Sequence, residues 1–528
     1  MSGPVLLVLG LAAALAFAVV AKRFALPYPI VFVLAGTVLA LIPGTPRIVI
    51  DPNWIFLAVL PPLLFSAGWT TDWRLFRANL RAILQLAIGL VIVTTVAVAL
   101  VATHVVPGMG LAAAFVLGAI VSPPDAVAGG ATFERFHVPR RIVAIVEGEG
   151  LINDATALVI YGYAVAAATN GSFTLRGAAV SFVVVAAGGV LAGIAVAWCV
   201  GKLERLLRRW ELSDSLIDNL MFLGVPYAAY LGAQAVHVSG VLATVVAGIT
   251  LSRRSHLLMT PETRLLALNV WNLWIYVLNA YVFLAIGLQL RTVAGALRDP
   301  LALVGPALLL SVLLIVVRLV WVYPTAFLAR LIPIVARNDP LPPWTSLTVI
   351  GWTGMRGIVS LAAALALPYR DANGAPFPER NAIVFVTFVA IFVTLVGQGL
   401  TLGPLLKLLH VREDGDGEER EIAVRVAALR SGLHCIERLR DDAADDAQRR
   451  VLERLRSEYT DRIEHLEAHA TGPGGAEDAT SAFDHRVQTA AVAAERREIL
   501  RLRDEGRIPD EIYRRIQYDL DLAESRLY

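Results

Sequence analysis

The segment Ser122-Pro123-Pro124-Asp125, followed by Glu147-Gly148-Glu149-Gly150-Leu151-Ile152-Asn153-Asp154, decides how this chain is interpreted. It places four carboxylates in or beside two long apolar runs. A carboxylate at lipid depth costs roughly 2.5–3.5 kcal/mol on insertion scales, and ionisable groups at that depth usually mark ion or proton pathways. We therefore expect these two segments to form a cation and proton site.

Composition divides the chain into two parts. Its 528 residues are 57% hydrophobic, with a mean hydropathy of +0.64, which favours a membrane protein. Residues 1–410 hold 26 basic and 16 acidic residues among long apolar runs, whereas residues 411–528 hold 20 and 28. We predict a transmembrane domain over 1–410 and a charged, helical cytosolic tail over 411–528. The amphipathic tail is expected to pack against itself or a second subunit, with regulation as the alternative.

The apolar runs predict an all-α fold with about thirteen transmembrane helices. Their approximate ranges are 4–21, 28–43, 53–70, 82–105, 109–133, 142–168, 177–201, 215–235, 238–252, 270–290, 300–329, 345–367 and 382–408. Because Lys22 and Arg23 follow the first run, we interpret it as a retained helix and not as a signal peptide. Cys199 and Cys435 indicate reduced thiols, with no disulfide framework or metal site.

Loop charge predicts the orientation. Seventeen Lys and Arg residues follow the odd-numbered spans, and six follow the even-numbered spans. Cytoplasmic loops carry the excess of positive charge, so the odd ends are predicted to be cytoplasmic. The N-terminus is then outside and the tail inside.

Two spans contain helix breaks. Pro123 and Pro124 remove two amide donors in span five, and three glycines surround Arg356 in span twelve, in Gly351-Trp352-Thr353-Gly354-Met355-Arg356-Gly357. Two inverted repeats of six spans, joined by span seven, would place both breaks at equivalent positions. Paired broken helices in corresponding halves point to the binding site of a transporter. The simpler alternative is that both are ordinary kinks.

The spacing in span six indicates how the site is built. Glu149 and Asn153 share a helix face, as do Glu147 and Asp154. Sodium is a hard cation that needs oxygen ligands. Asp154 and Asp125 are predicted to bind it, together with carbonyls freed at Pro123 and Pro124.

The same carboxylate explains why such a site would exchange ions. Burial disfavours its anionic form, so Asp154 binds either a proton or a cation, and this competition suffices for antiport. Asn153 supplies an amide where a second aspartate would add charge, so one proton exchanges for one monovalent cation.

Two arginines in the apolar spans need partners. We expect Arg356 to clamp the site, either by pairing with Glu147 or Glu149 or by capping carbonyls at the second break. Arg318 is expected to snorkel to the cytoplasmic side, with a functional role as the less favoured alternative. Gln398 is expected to be a helix-packing group.

Four motifs resemble those of the monovalent cation:proton antiporters, in the branch of bacterial NhaP and the eukaryotic sodium/proton exchangers. Glu149-Gly150-Leu151-Ile152-Asn153-Asp154-Ala155 is similar to the family's Glu-Ser-Leu-x-Asn-Asp-Ala signature, and Ser122-Pro123-Pro124-Asp125 is similar to Ser-Pro-Thr-Asp-Pro. Leu60-Pro61-Pro62-Leu63-Leu64-Phe65 and Gly354-Met355-Arg356-Gly357 match two further stretches. The resemblance covers about residues 1–410.

The resemblance implies thirteen helices in two inverted six-helix repeats, two crossing broken helices, a homodimer and electroneutral exchange. It implies that Asp154 binds the cation and the proton, assisted by Asp125 and Glu149, and that Arg356 stabilises the crossing. Gly150, Pro124 and Ala126 depart from the family pattern and put the cation preference in question. Backbone carbonyls are then expected to serve as ligands, with the Thr156 or Ser122 hydroxyl as a further replacement.

The leading hypothesis is a sodium/proton antiporter, with lithium as a further substrate, in a bacterial-type inner membrane. The residues expected to bind ion or proton are Asp154, Asp125, Asn153, Glu149, Ser122 and Pro123. Those expected to support the broken helices are Arg356, Glu147, Gly354, Gly357 and Pro124. A potassium/proton antiporter is the alternative, and a cation channel or sensor is less favoured. We find no nucleophile–base set that would indicate an enzyme, and expect no cofactor or nucleic-acid partner; the expected partners are the transported cation, membrane lipid and a second subunit.

Overall fold

The computed structural model describes residues 15–24, 26–43, 51–170, 175–212, 214–331, 339, 341–370, 374–411, 416–439, 445–470, 477–505, 507 and 509–524. Throughout these ranges the regular structure is helical, apart from one isolated β-bridge between Arg370 and Pro376. The chain divides into two compact units, Met1–Glu413 and Asp414–Tyr528. Each unit is described by itself below.

The first unit contains fifteen main helices among its described residues, which we label in chain order. They are α1 (15–24), α2 (Tyr28–Leu41), α3 (Pro52–Thr70), α4 (Leu80–Val105), α5 (Leu111–Val121), α6 (Val127–Phe136), α7 (Arg140–Asn170), α8 (Leu175–Arg209), α9 (Ser215–Ala235), α10 (Gly240–Ser252), α11 (Pro261–Leu288), α12 (Pro300–Leu328), α13 (Trp344–Trp352), α14 (Ile358–Leu365) and α15 (Arg380–Leu408). In the part of the chain that is described, eight helices are long and apolar enough to cross a membrane.

Each predicted span coincides with one helix or with a pair of half-helices, although residues 4–14 of the first lie outside the described ranges. Two predicted boundaries were wrong. Helix α8 continues to Arg209, because an i,i+4 pair between Glu204 and Arg208 supports its last turns beyond the apolar run. Helix α11 begins at Pro261, nine residues earlier than predicted, because the Thr260 hydroxyl accepts the Thr263 amide and caps it.

Both predicted helix breaks are present. Residues 122–126 separate α5 from α6, and residues 353–357 separate α13 from α14. Helix α7 packs against α5, whereas α12 packs against α4, α13 and α15. The two breaks are therefore surrounded by long helices. The arrangement of the helices as two inverted repeats stays a prediction.

Glycines allow close helix packing beside the site. A Cβ on Gly36 of α2 would lie 2.2 Å from the Leu284 carbonyl oxygen of α11, and one on Gly287 would lie 2.2 Å from the Val33 oxygen. These contacts leave no room for a side chain, so the two backbones lie directly against each other. Small residues at helix interfaces are the usual means of such packing in membranes.

The second unit is helical, as the periodicity predicts. Its helices are α16 (Asp416–Leu439), α17 (Asp446–Ala470), α18 (Glu477–Asp504) and α19 (Asp510–Glu524). Helix α16 packs against α17, and α18 against α19. The run Thr471-Gly472-Pro473-Gly474-Gly475, whose glycines and proline predict a break in the helical pattern, lies outside the described residues.

Candidate ion-binding site at the crossing of two broken helices

The two helix breaks touch each other. The Asp125 amide in the first break donates a 2.6 Å hydrogen bond to the Met355 carbonyl in the second. A Cβ on Gly357 would lie 1.7 Å from Asp125 Oδ2, which is far inside contact distance. Only glycine therefore allows the second break to approach the Asp125 carboxylate this closely.

Charged side chains are matched to the ends of the half-helices. Asp125 lies at the N-termini of α6 and α14, where Oδ1 accepts the Val127 amide at 2.9 Å and the carboxylate faces the Ile358 amide. Arg356 lies at the opposite ends, where its Nε donates to the last carbonyl of α5, that of Val121, at 3.0 Å. Its Nη1 donates to the Gly354 carbonyl beyond α13. A negative group thus faces the positive helix ends, and a positive group the negative ones.

Arg356 therefore takes one of its predicted roles, that of capping carbonyls. Its guanidinium is buried, and no ion pair joins it to Glu147 or Glu149 among the described residues. The Arg356 amide in turn donates to Thr394 Oγ1 of α15 at 3.0 Å. Gly354 is equally confined, since a Cβ there would lie 2.6 Å from Arg318 Cδ.

The expectation that Arg318 snorkels to the cytoplasmic side is wrong. Its side chain is 1% exposed and forms a bidentate ion pair with Glu149, with Nη1–Oε1 at 2.5 Å and Nη2–Oε2 at 2.7 Å. Its Nε donates to the Ile350 carbonyl in the last turn of α13 at 3.0 Å. Two opposite charges buried together stabilise each other where neither could remain alone. Arg318 therefore ties α12 to α7 and to the second break.

Gln398 caps a backbone carbonyl at the second break. This buried side chain of α15 donates from Nε2 to the carbonyl of Trp352, the last residue of α13, at 2.8 Å. Backbone groups at a helix end inside the membrane must find a partner, since water is absent. Gln398, Thr394 and Arg318 together supply partners around the second break.

A cavity of about 180 Å³ lies beside the crossing and is lined by several of the predicted residues, although Asn153, Glu149 and Ser122 are not among them. Its lining includes Asp125, Asp154, Pro123, Pro124, Glu147 and Gly150, with Ser360 and Gly357 opposite. Water occupies about 30 Å³ in the liquid, so several water-sized oxygens fit. The two aspartates are close enough to interact electrostatically.

Two of the buried side-chain oxygens that have no partner within the described residues belong to predicted ion-binding residues. They are Asp125 Oδ2 and Asn153 Oδ1. The amide end of Asn153 is fixed, because Nδ2 donates to the Pro124 carbonyl at 2.8 Å. Buried acceptors left without donors are costly, and a cation or a proton would relieve that cost. The donor set thus fits a hard monovalent cation held by oxygens.

The predicted hydroxyl ligands lie elsewhere. The Ser122 hydroxyl donates to the Ala119 carbonyl at 3.1 Å, and the Thr156 hydroxyl donates to the Ile152 carbonyl at 3.3 Å. Both are turned back onto their own helices, and neither residue lines the cavity. Serine and threonine commonly bond in this way inside helices.

The residues whose structural roles were not predicted from the sequence share one feature. Arg318, Thr394 and Gln398 are polar side chains within otherwise apolar spans. Such residues are expected to face the interior of the bundle and to find partners there. Their partners lie in distant parts of the chain, so spacing could not identify them.

Two interrupted helices that cross at buried carboxylates define a class, the secondary transporters with discontinuous membrane helices. The particular family follows from comparison with known proteins. A family profile described as "Sodium/hydrogen exchanger, transmembrane" matches residues 10–408, and the chain belongs to that family.

Relatives span most of this chain. It is 32% identical over 523 residues to the Escherichia coli (strain K12) protein named "Uncharacterized Na(+)/H(+) exchanger YjcE", covering 96% of this chain and 94% of that protein. It is 31% identical over 520 residues to the "Sodium, potassium, lithium and rubidium/H(+) antiporter" of Bacillus subtilis (strain 168), covering 96% and 75%. The fold is similar to the solved structure of the sodium proton antiporter MjNhaP1 from Methanocaldococcus jannaschii, with a TM-score of 0.57 and 16% identity over 76% of this chain and 97% of that one.

Proposed function

We propose that this protein exchanges a monovalent cation, foremost sodium, for a proton across the membrane, with both ions competing for Asp154. The observation that carries the proposal is the convergence of Asp154 and Asp125 on one cavity at the helix crossing, where Asp125 Oδ2 has no hydrogen-bond partner within the described residues. Family membership supports the same activity.

Asp154 and Asp125 supply the charge that attracts the cation. Asp125 Oδ2 and Asn153 Oδ1 complete the oxygen set, with carbonyls of the Pro123-Pro124 break nearby. Asp125 is partly neutralised by the two helix N-termini that it faces, which leaves Asp154 as the group that changes occupant. Glu149 is reassigned from ligand to scaffold in this proposal, because Arg318 occupies both of its oxygens.

Competition at one carboxylate produces exchange. A buried Asp154 is unfavourable as a free anion, so it carries either the cation or the proton whenever the site changes sides. One proton then returns for each monovalent cation, and the exchange is electroneutral. Asn153 adds no second titrating charge, which supports this stoichiometry.

The test is exchange by purified protein in liposomes with an imposed pH gradient. Wild type should dissipate the gradient when sodium is added, and Asp154→Asn should not. The matched control is Asp299→Asn, because Asp299 is an exposed carboxylate whose Oδ1 accepts the Ala302 amide away from the cavity. Sodium-driven dissipation by folded Asp154→Asn would contradict the proposal.

A potassium/proton antiporter is the second candidate. The Bacillus subtilis relative carries potassium and rubidium in its name. Gly150 also lacks the hydroxyl expected from the resemblance, which leaves an oxygen fewer for a small cation. Titration of the same liposomes with lithium, sodium, potassium and rubidium separates the candidates, since the preferred ion gives half-maximal exchange at the lowest concentration.

The setting is also proposed. Seventeen basic residues after the odd-numbered spans support an outside N-terminus and a cytoplasmic tail in a bacterial inner membrane. The resemblance supports thirteen helices in two inverted repeats, alternating access and a homodimer. A role in pH homeostasis follows from the proposed exchange.

A further inference from the structure

A second, larger cleft lies apart from the crossing. It has a volume of about 1150 Å³ and is bounded by α1 and α2, α11, α6 and α15. Its lining residues differ entirely from those of the ion cavity. The proposed exchange does not use this cleft.

The cleft joins basic side chains to apolar walls. Lys22, Arg135, Lys407 and His410 line it, and no acidic residue is among its described lining residues. Leucine and proline side chains and an aromatic pair, Tyr28 and Tyr276 with ring centroids 5.5 Å apart, form much of the rest. The chemistry therefore divides into a cationic rim and an apolar interior.

Lysine is rare in this chain and is concentrated at the cleft. The whole chain contains three lysines, Lys22, Lys202 and Lys407, beside 43 arginines, and two of the three line the cleft. Lys407 Nζ lies 5.8 Å from the centroid of the Phe136 ring, and Arg135 Cζ lies 5.5 Å from the same centroid. Lysine binds phosphate as a flexible point charge.

We propose that this cleft binds one anionic phospholipid, with its phosphate on the rim formed by Lys22, Arg135, Lys407 and His410 and an acyl chain along the apolar wall. Basic pockets between membrane helices on the cytoplasmic side are suited to anionic headgroups. The proposed orientation places this rim at that side. The inference does not depend on which cation is exchanged.

Lysine labelling tests the proposal within one molecule. Full-length protein in a neutral detergent is exposed to an amine-reactive reagent, with phosphatidylglycerol or with phosphatidylcholine, and the modified lysines are read by mass spectrometry. Phosphatidylglycerol at ten times its Kd should lower labelling of Lys22 and Lys407 by about tenfold, because about a tenth of the sites remain empty. Lys202, which lies over the Trp198 ring outside the cleft, is the internal control and should not respond.

Lysine variants distinguish lipid binding in this cleft from general lipid binding. Phosphatidylglycerol should raise the melting temperature of wild type and of Lys202→Gln, but not of Lys22→Gln/Lys407→Gln. Equal stabilisation of all three would overturn the proposal, as would equal protection of Lys202. Protection by glycerol phosphate alone at the same concentration would indicate a free anion site, and lysines already unreactive in phosphatidylcholine would indicate a protein segment in the cleft; either result also overturns it.

Discussion

Removal of the Glu149 carboxylate distinguishes a scaffold role from a direct role in ion binding. Glu149→Gln keeps the size of the side chain but leaves the Arg318 guanidinium, 1% exposed, without its counter-charge. The remaining acceptor seen for Arg318 is the Ile350 carbonyl. Breaking a buried pair by removing one partner costs about 3–5 kcal/mol. At about 1.4 kcal/mol per factor of ten, the folded-to-unfolded ratio should fall more than a hundredfold.

The double variant Glu149→Gln/Arg318→Gln should recover most of that loss. It buries no unpaired charge, and replacement of a whole buried pair is often close to neutral. The measurements are the folded fraction after heating, by size-exclusion chromatography in detergent, and sodium-driven exchange in liposomes. Glu421→Gln is the control, because Glu421 and its partner Arg425 are 52% and 63% exposed and such pairs contribute under about 1 kcal/mol.

The double variant decides between the two roles. If Glu149 is a scaffold residue, the double variant should be both more stable than Glu149→Gln and active in exchange. A double variant as unstable as the single one would refute the pairing argument. A stable but inactive double variant would return Glu149 to the ion-binding set.

Two further predictions concern the crossing and its surroundings. Gly357→Ala should abolish exchange, because its methyl group would overlap Asp125 Oδ2. The control Gly295→Ala should be active, because the space around Gly295 is open. Exchange at the wild-type rate by Gly357→Ala would contradict the close approach of the second break to Asp125. Asp339 lies among the guanidinia of Arg141, Arg330 and Arg81, and although burial raises its pKa, these three groups lower that pKa by more, to below its usual value. The stabilisation is therefore present at neutral pH and is lost as the pH falls through the lowered folded-state pKa. Asp339→Asn should lower the melting temperature at pH 7 and make it less sensitive to acid, and an unchanged melting curve at pH 7 would refute this.

The helices were predictable because the membrane leaves few choices. Apolar length sets each span, and the prediction of 215–235 agrees with Ser215–Ala235 at both ends. The first break was predictable because two prolines remove donors that lipid cannot replace, and the second because three glycines surround Arg356 within an apolar span. Boundaries failed where helices extend into water, because capping and ion pairs then decide the last turns and hydropathy does not.

The partners of buried charges were not predictable in the same way. The sequence shows that Arg318 needs a counter-charge or a path to water, but its position within an apolar run does not decide between them. Its partner Glu149 is 169 residues away, and only the fold, in which α7 and α12 both pack against α13, brings them together. Similarly, Gln398 and Trp352 meet across two helices, so that capping role could not be derived from spacing.

Two of the departures from the family motifs, at Gly150 and Ala126, lie next to each other in the structure. A Cβ on Gly150 would lie 3.0 Å from Ala126 Cβ, so two of the three positions at which this chain departs from the motifs touch each other. A serine at 150 needs room that Ala126 now occupies, and a proline ring at 126 would lie against the same surface. The absence of both larger groups therefore preserves the packing of α7 on the first break while it removes one hydroxyl next to the cavity. The carboxylates and the Asn153–Pro124 hydrogen bond do not depend on that hydroxyl, so the charge arrangement of the site is kept without it.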